Sequence, residues 1–190
     1  MNITREKMNY DLVIVGAGPS GLSAAINLKK LCKKNGKDLS VCIVEKGSEV
    51  GSHILSGAIL EPRALDELIE DWRTIDDCPV KVPVKKESLK FLTEKNSYEI
   101  PGIFTPPVMH NKGNFIISLG MFCKWLAKHA EDLGVEIYPG FAASDLLLEN
   151  GRLNGIITGD LGLNKNGEQG PNFQPGIEIH SKYTLFAEGC

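Results

Sequence analysis

Residues 10–45, YDLVIVGAGPSGLSAAINLKKLCKKNGKDLSVCIVE, constrain the fold more than any other stretch. Leu12–Val15 is an unbroken apolar run, as expected of a strand covered on both faces. Gly16–Gly21 forms a glycine-rich turn. Leu22, Ala25, Ile26 and Leu31 then recur at roughly helical spacing, until KKNGKD breaks the pattern. Val41–Val44 reads as a second buried strand, closed by Glu45. That order predicts a βαβ unit with parallel strands and a right-handed crossover.

GAGPSG sets Gly16, Gly18 and Gly21 in the G-x-G-x-x-G pattern. The first glycine permits the tight turn out of the strand, the second lets a pyrophosphate approach the main chain, and the third lets the helix pack close to the sheet. Amides at the helix start then face the phosphates, assisted by the helix dipole. Glu45 is placed to accept hydrogen bonds from a ribose diol and to repel the extra phosphate of NADP. A strand before, a helix after and an acid closing the next strand together point to a dinucleotide.

FAD and NAD share the adenosine pyrophosphate half, so the βαβ unit alone does not separate them. The loop EKGSEVGSHILSGA, with Gly47, Gly51 and Gly57, is suited to run back along a bound cofactor. A late meander followed by LFAEG suits a second strand end returning to it. Both favour FAD.

Beyond the loop, a helix is expected from Pro62, carrying Leu65, Leu68, Ile69 and Trp72 on one side. Residues 79–119 hold several prolines and short β-prone pieces (SLKFLT, SYEI, NFIISL), which predicts an antiparallel excursion. Helical periodicity returns in GMFCKWLAKHAEDLG, and VEIYPG reads as a strand. SDLLLENGRLNGIITGD reads as a hairpin turning at Asn150–Gly151. LNKNGEQGPNFQPG reads as a solvated loop. GIEIHSKYTLFAEG supplies the final strand. The expected division is 1–78 for the βαβ unit and flavin loop, 79–119 for the excursion, and 120–190 for the return to the cofactor domain.

Composition narrows the function classes. A net charge of −3 offers no dominant basic surface for nucleic acid. Five scattered cysteines, without a C-x-x-C, predict reduced thiols rather than a disulfide scaffold or a zinc or iron–sulfur site of usual spacing. No run approaches the ~18 apolar residues of a membrane span. The leader MNITREKMNY does not read as a signal or transit peptide.

Several blocks, taken together and in order, resemble the electron transfer flavoprotein–ubiquinone oxidoreductases. They are DLVIVGAGPSGLSAA, VCIVEKGSEVGSHILSGAIL, FLTEKNSYEIPG, GNFIISLG, LGVEIYPGFAASDLL and FAEGC, and they extend from about Tyr10 to Cys190. The first block is shared by many flavoproteins; GSHILSGA and VEIYPGFAA are more specific. The resemblance implies a Rossmann-like FAD-binding domain of the glutathione-reductase/hydroxybenzoate-hydroxylase type with an inserted antiparallel α+β excursion. It implies that the chain is the N-terminal part of an enzyme carrying FAD and a 4Fe–4S cluster, with the cluster ligands outside this sequence. In that family electrons pass from reduced electron transfer flavoprotein to membrane ubiquinone.

Carried over by position, Gly16, Ala17, Gly18, Pro19, Ser20 and Gly21 would meet the pyrophosphate and Glu45, with Lys46 beside it, the ribose. Ser52, His53, Leu55, Ser56 and Gly57 would line the flavin side, and backbone near Ala142 the adenine. Related flavoproteins often have an arginine where Ser118 stands, so phosphate charge would rest on the dipole and amides. No catalytic residue and no metal ligand is assigned; His129 reads as a solvated surface residue. Phe91, Leu92, Ile100, Ile103, Phe104 and Val108 in segment 89–108 correspond to an apolar surface that would dip into one leaflet. The family reading places the protein peripherally on the cytoplasmic face of a bacterial inner membrane, or on the mitochondrial inner membrane in a eukaryote.

On this reading YTLFAEG delivers the chain back to the flavin, and the sequence is expected to be truncated and inactive alone. Two other readings stay open: a FixC-like or geranylgeranyl-reductase-like flavoprotein of the same fold, and a non-catalytic FAD- or NAD-binding fragment.

Overall fold

A computed structural model describes residues 4–55 and 57–189. The chain forms two compact units, Met1–Leu55 with Cys123–Cys190, and Ser56–Phe122.

In the first unit, β1 (Lys7–Val15) leads through the glycine turn into α1 (Pro19–Lys34), and β2 (Val41–Glu45) follows. Strand β1 begins well before the apolar run, because its first half pairs along its whole length with a later strand. Helix α1 buries Leu22, Ala25 and Ile26, one stripe at helical spacing. Its last turn carries Lys33 and Lys34, which complement the negative end of the dipole.

The second unit contains β3 (Gly57–Leu60), α2 (Arg63–Leu68), β4 (Val82–Pro83), β5 (Leu89–Leu92), β6 (Ser97–Ile100) and β7 (Phe115–Ser118). Strands β3 and β4 flank β7, both antiparallel, while β5 and β6 form a separate hairpin. The helix expected from Pro62 is shorter than its apolar spacing suggested. It ends at Leu68, and Trp72 lies in a following 3₁₀ turn, Trp72–Thr74. The Trp72 indole donates to Asp66 Oδ1 at 2.8 Å and packs edge-on against Phe115, so tertiary contacts override the helical period.

Helix α3 (Leu119–Asp132) is followed by β8 (Val135–Pro139), β9 (Ala143–Glu149), β10 (Arg152–Thr158), β11 (Leu161–Leu163), β12 (Gln169–Gln174) and β13 (Glu178–Phe186). Cys123, Leu126, Ala127 and Ala130 are the buried stripe of α3. His129, expected to be solvated, is half-buried and tilted against Trp125, with ring centroids 4.3 Å apart. The main sheet runs β8-β2-β1-β13-β10-β9, with β8, β2, β1 and β13 parallel. Its central residues Val13, Ile14, Cys42, Ile43 and Ile179 are almost completely excluded from water.

Two further details depart from the sequence reading. The polar segment expected to be a loop is the hairpin β11–β12, and the last two residues of the loop EKGSEVGSHILSGA, Gly57 and Ala58, open strand β3. The turn at Asn150–Gly151 stands as expected, with Glu149 opposite Arg152.

A polar clasp spans β2. The Tyr10 hydroxyl on β1 donates to Glu136 Oε2 on β8 at 2.7 Å and lies 2.7 Å from the Tyr138 hydroxyl, which donates to the same carboxylate. Burial and these bonds push the Tyr10 hydroxyl well above the usual phenol range. Cys42, on the strand between, is raised to about 12 by burial and then by Glu136.

Candidate nucleotide site

The parallel strands end together, and their carboxyl ends carry the sequence-predicted residues. Gly16 follows β1, Glu45 closes β2, and residues 140–142 follow β8, whose Pro139 is paired with Glu45. Ligands of open α/β sheets bind in the crevice at such strand ends.

Each glycine of the turn has a separate steric reason. Gly16 has φ +105°, and a Cβ there would lie 2.6 Å from the Ala187 carbonyl oxygen. At Gly21 a Cβ would lie 2.1 Å from the Gly16 oxygen and 3.1 Å from Ile14 Cγ2, so only glycine lets α1 approach the strand this closely. A Cβ on Gly18 would meet nothing within 4 Å. The chain is therefore closed behind Gly16 and Gly21 and open in front of Gly18, as an approaching phosphate requires.

Helix α1 begins after Gly18, with Pro19 in its first turn, no side-chain cap and no acidic residue there. The first amides of a helix have no intrahelical acceptor, so those of Ser20 and Gly21 stay available at the positive end of the dipole. This donor set fits a pyrophosphate.

Glu45 is half-buried, and both of its oxygens are engaged. The Ala17 N–H donates to Oε2 at 2.9 Å and the Gly47 N–H to Oε1 at 2.7 Å. Gly47 in turn accepts from the Gly140 N–H at 2.7 Å, tying the turn after β8 to the same point. Each carboxylate oxygen keeps a further lone pair for a ligand hydroxyl. The sequence pointed to Glu45 as a ribose acceptor; its grip on the glycine turn had no sequence signal, because it depends on where β1 and β2 end.

Beneath the site, burial followed by the charge of Glu45 raises Cys123 to about 11. Among the described residues four cysteines, Cys32, Cys42, Cys78 and Cys123, are buried and free, and none is paired.

The remaining assignments are spread more widely. Lys46, Ser52, His53 and Leu55 are exposed on the loop after β2, with Leu55 99% exposed. Gly57 opens β3 in the second unit, where a Cβ would lie 2.9 Å from the Ile117 oxygen. Ser56 lies outside the described residues. Ala142 is exposed, and its carbonyl accepts from the Gly159 N–H at 2.9 Å. Ser118, which stands where an arginine was looked for, sits just before α3, and its Oγ is 3.4 Å from the Met121 amide, a helix-capping position. The last strand reaches the glycine turn: the Ala187 N–H donates to the Val15 oxygen at 2.8 Å.

In the second unit, a separate cavity of about 310 Å³ is lined by Glu87, Leu89, Ile100, Met109 and His110. None of these belongs to the predicted nucleotide set. The neighbouring apolar side chains are strongly exposed, with Ile103 at 86%, Phe104 at 72% and Val108 at 90%.

Sheet order, glycine turn and acid define a Rossmann-like dinucleotide-binding fold, as the sequence led one to expect. Residues 14–72 match the family described as NAD(P)-binding Rossmann-like domain. A geranylgeranyl bacteriochlorophyll reductase-like protein from Thermoplasma acidophilum has a similar structure, with TM-score 0.62, 20% identity, and coverage of 96% of this chain and 40% of that one. The myxobacterial chondrochloren halogenase, a FAD-dependent halogenase, gives TM-score 0.61 at 17% identity, covering 96% of this chain and 38% of that one. At such identities the likeness is one of fold.

Sequence relatives are more specific. The chain is 54% identical over 189 residues to the electron transfer flavoprotein-ubiquinone oxidoreductase of Pseudomonas aeruginosa, covering 98% of this chain and 34% of the relative. The mitochondrial protein of that name from Dictyostelium discoideum is 54% identical, over 98% of this chain and 30% of the relative. That of Mus musculus is 47% identical, over 100% and 31%. The chain is thus homologous along its whole length to the electron transfer flavoprotein–ubiquinone oxidoreductases, and it spans about a third of the length of these curated relatives.

Proposed function

We propose that the chain supplies the FAD-binding part of an oxidoreductase that passes electrons from reduced electron transfer flavoprotein to ubiquinone. The reaction is proposed from the names of relatives of which this chain spans about a third. The observation that carries the cofactor half is the Gly18 cradle, open to 4 Å in front of an acid-free, uncapped helix start. A bound flavin supplies one- and two-electron redox chemistry. This chain's residues bind and orient: the amides of Ser20 and Gly21 take the pyrophosphate, Glu45 takes the ribose hydroxyls, and backbone near Ala142 borders the adenine. The loop with Lys46, Ser52, His53 and Leu55 runs along the flavin side. No residue here is assigned a proton-transfer role.

The exposed apolar segment 89–108 is the peripheral membrane contact in this reading, within an inserted excursion of residues 79–119. Among the described residues no helix is long and apolar enough to cross a membrane, which is compatible with contact from one side. Relatives from Dictyostelium discoideum and Mus musculus are named mitochondrial. The proposed location is the cytoplasmic face of a bacterial inner membrane or, in a eukaryote, the mitochondrial inner membrane. A 4Fe–4S cluster belongs to the same proposal for the longer protein.

Titration of the purified chain with FAD, with NAD as competitor, tests the cofactor half. Flavin fluorescence quenched in the presence of excess NAD is the expected result; binding of NAD alone, or of neither, overturns it. The reaction itself is read from ubiquinol formed when full-length protein is given reduced electron transfer flavoprotein.

A further inference from the structure

Four Asn–Gly pairs occur in the chain: Asn35–Gly36, Asn150–Gly151, Asn154–Gly155 and Asn166–Gly167. In such a pair the glycine amide nitrogen is free of Cβ hindrance and is positioned to attack the preceding side-chain carbonyl. Whether it does so depends on how firmly the side chain and the amide are held.

Three of the pairs are held. The Asn35 side-chain amide donates to the Leu31 oxygen at 2.7 Å, and the Gly36 N–H faces the Lys33 oxygen at 3.4 Å. The Asn154 side-chain amide donates to Glu149 Oε2 at 2.8 Å, and Gly155 is buried within β10, opposite His180 of β13. The Gly167 N–H donates to the Asn164 oxygen at 3.0 Å.

Asn150–Gly151 differs. Both residues have positive φ, +51° and +77°, at the tip of the two-residue hairpin between Glu149 and Arg152, and Asn150 is exposed. Among the described residues, neither the Asn150 side chain nor the Gly151 amide has a hydrogen-bond partner.

We propose that the β9–β10 turn is a site of spontaneous modification, at which Asn150 deamidates to a mixture of aspartyl and isoaspartyl residues. The Gly151 nitrogen forms a bond to Asn150 Cγ, its proton passes to the departing amide nitrogen, and ammonia leaves. Water then opens the resulting succinimide at either carbonyl, so no oxidant or reductant is needed. The product carries a new carboxylate next to Glu149. In its isoaspartyl form it has one more methylene in the main chain, which the two-residue turn cannot accommodate without losing the Glu149–Arg152 register.

Peptide mapping by mass spectrometry of the full chain, aged at mildly alkaline pH, tests this site by site. In denaturant the four asparagines should react at similar rates. In the folded chain Asn150 should react at least about fivefold faster than each of the others, the ratio set by one net hydrogen bond. Methyl transfer from S-adenosylmethionine by an isoaspartyl methyltransferase should label the Asn150 peptide, and Asn150→Gln should abolish most of that label. Equal or faster conversion of Asn35, Asn154 or Asn166 in the folded chain overturns the proposal, as does absence of label at Asn150.

Discussion

The Glu45 carboxylate stands 2.9 Å from the Ala17 amide, joining the end of β2 to the glycine turn that follows β1. Its second oxygen holds Gly47, so one side chain sets both walls of the candidate site. Glutamine at this position keeps one acceptor oxygen but turns an NH₂ group toward the other amide. Glu45→Gln should therefore weaken FAD binding by about tenfold or more, since hydrogen bonds to charged groups are worth about 1.5–3 kcal/mol. Hydrogen exchange at Ala17 or Gly47 should quicken even without ligand. Unchanged exchange at both amides would show that the carboxylate does not organise the turn.

The three glycines should separate fold from binding. Gly21→Ala puts a methyl group 2.1 Å from the Gly16 oxygen, a backbone atom that cannot yield, and should cost more than about 2 kcal/mol of stability. Gly18→Ala meets nothing and should cost about 1 kcal/mol or less as a helix cap, while strongly reducing cofactor affinity. Urea midpoints together with FAD titration distinguish the two outcomes.

Asp11 ties β1 to two neighbours. It lies 2.6 Å from Lys182 Nζ and accepts from the Ser40 amide at 2.8 Å. The Lys182 contact first, and the Ser40 bond second, hold its carboxyl at about 2. A depressed carboxyl contributes stability above its unfolded value, and that contribution is lost as pH falls through the folded one. The loss should fall between about pH 4 and pH 2. Asp11→Asn should flatten that part of the stability curve in urea unfolding at stepped pH.

The exposed apolar segment should be replaceable without loss of the fold. Phe91, Ile103 and Phe104 are all well exposed, so changing the three to serine should leave the unfolding free energy in urea within about 1 kcal/mol. Co-sedimentation of the full-length protein with phospholipid vesicles should drop at least severalfold. Undiminished sedimentation would remove segment 89–108 from the membrane reading.

The clasp across β2 gives a prediction about stability alone. Tyr10→Phe removes one donor to Glu136 and leaves that carboxylate with one fewer partner. It should cost about 1–2 kcal/mol, seen in thermal or urea unfolding, and leave cofactor binding little changed.

Much of the candidate site is local and was legible from residues 10–45. A strand, a tight turn and a helix depend on near-neighbour sterics, so the spacing of Gly16, Gly18 and Gly21 announces the turn and the close helix–strand approach. The Asn150–Gly151 hairpin is equally local, because positive φ at two adjacent residues selects that turn. Longer-range assignments were harder. Trp72 left the predicted helix because Asp66 and Phe115 hold it, and the polar segment became β11–β12 although nothing in its apolar pattern asked for a strand.

By itself, then, the sequence determined the βαβ unit, its glycine turn and the acid after β2, since each is written within a few residues of its neighbours. Only the tertiary structure decided that Glu45 would clamp Ala17, and that β13 would pair beside β1 and bring Ala187 against Gly16. Those contacts join residues tens to more than a hundred and fifty positions apart along the chain. Sheet order brings them together, and sheet order follows from burying apolar faces collectively rather than from any local pattern.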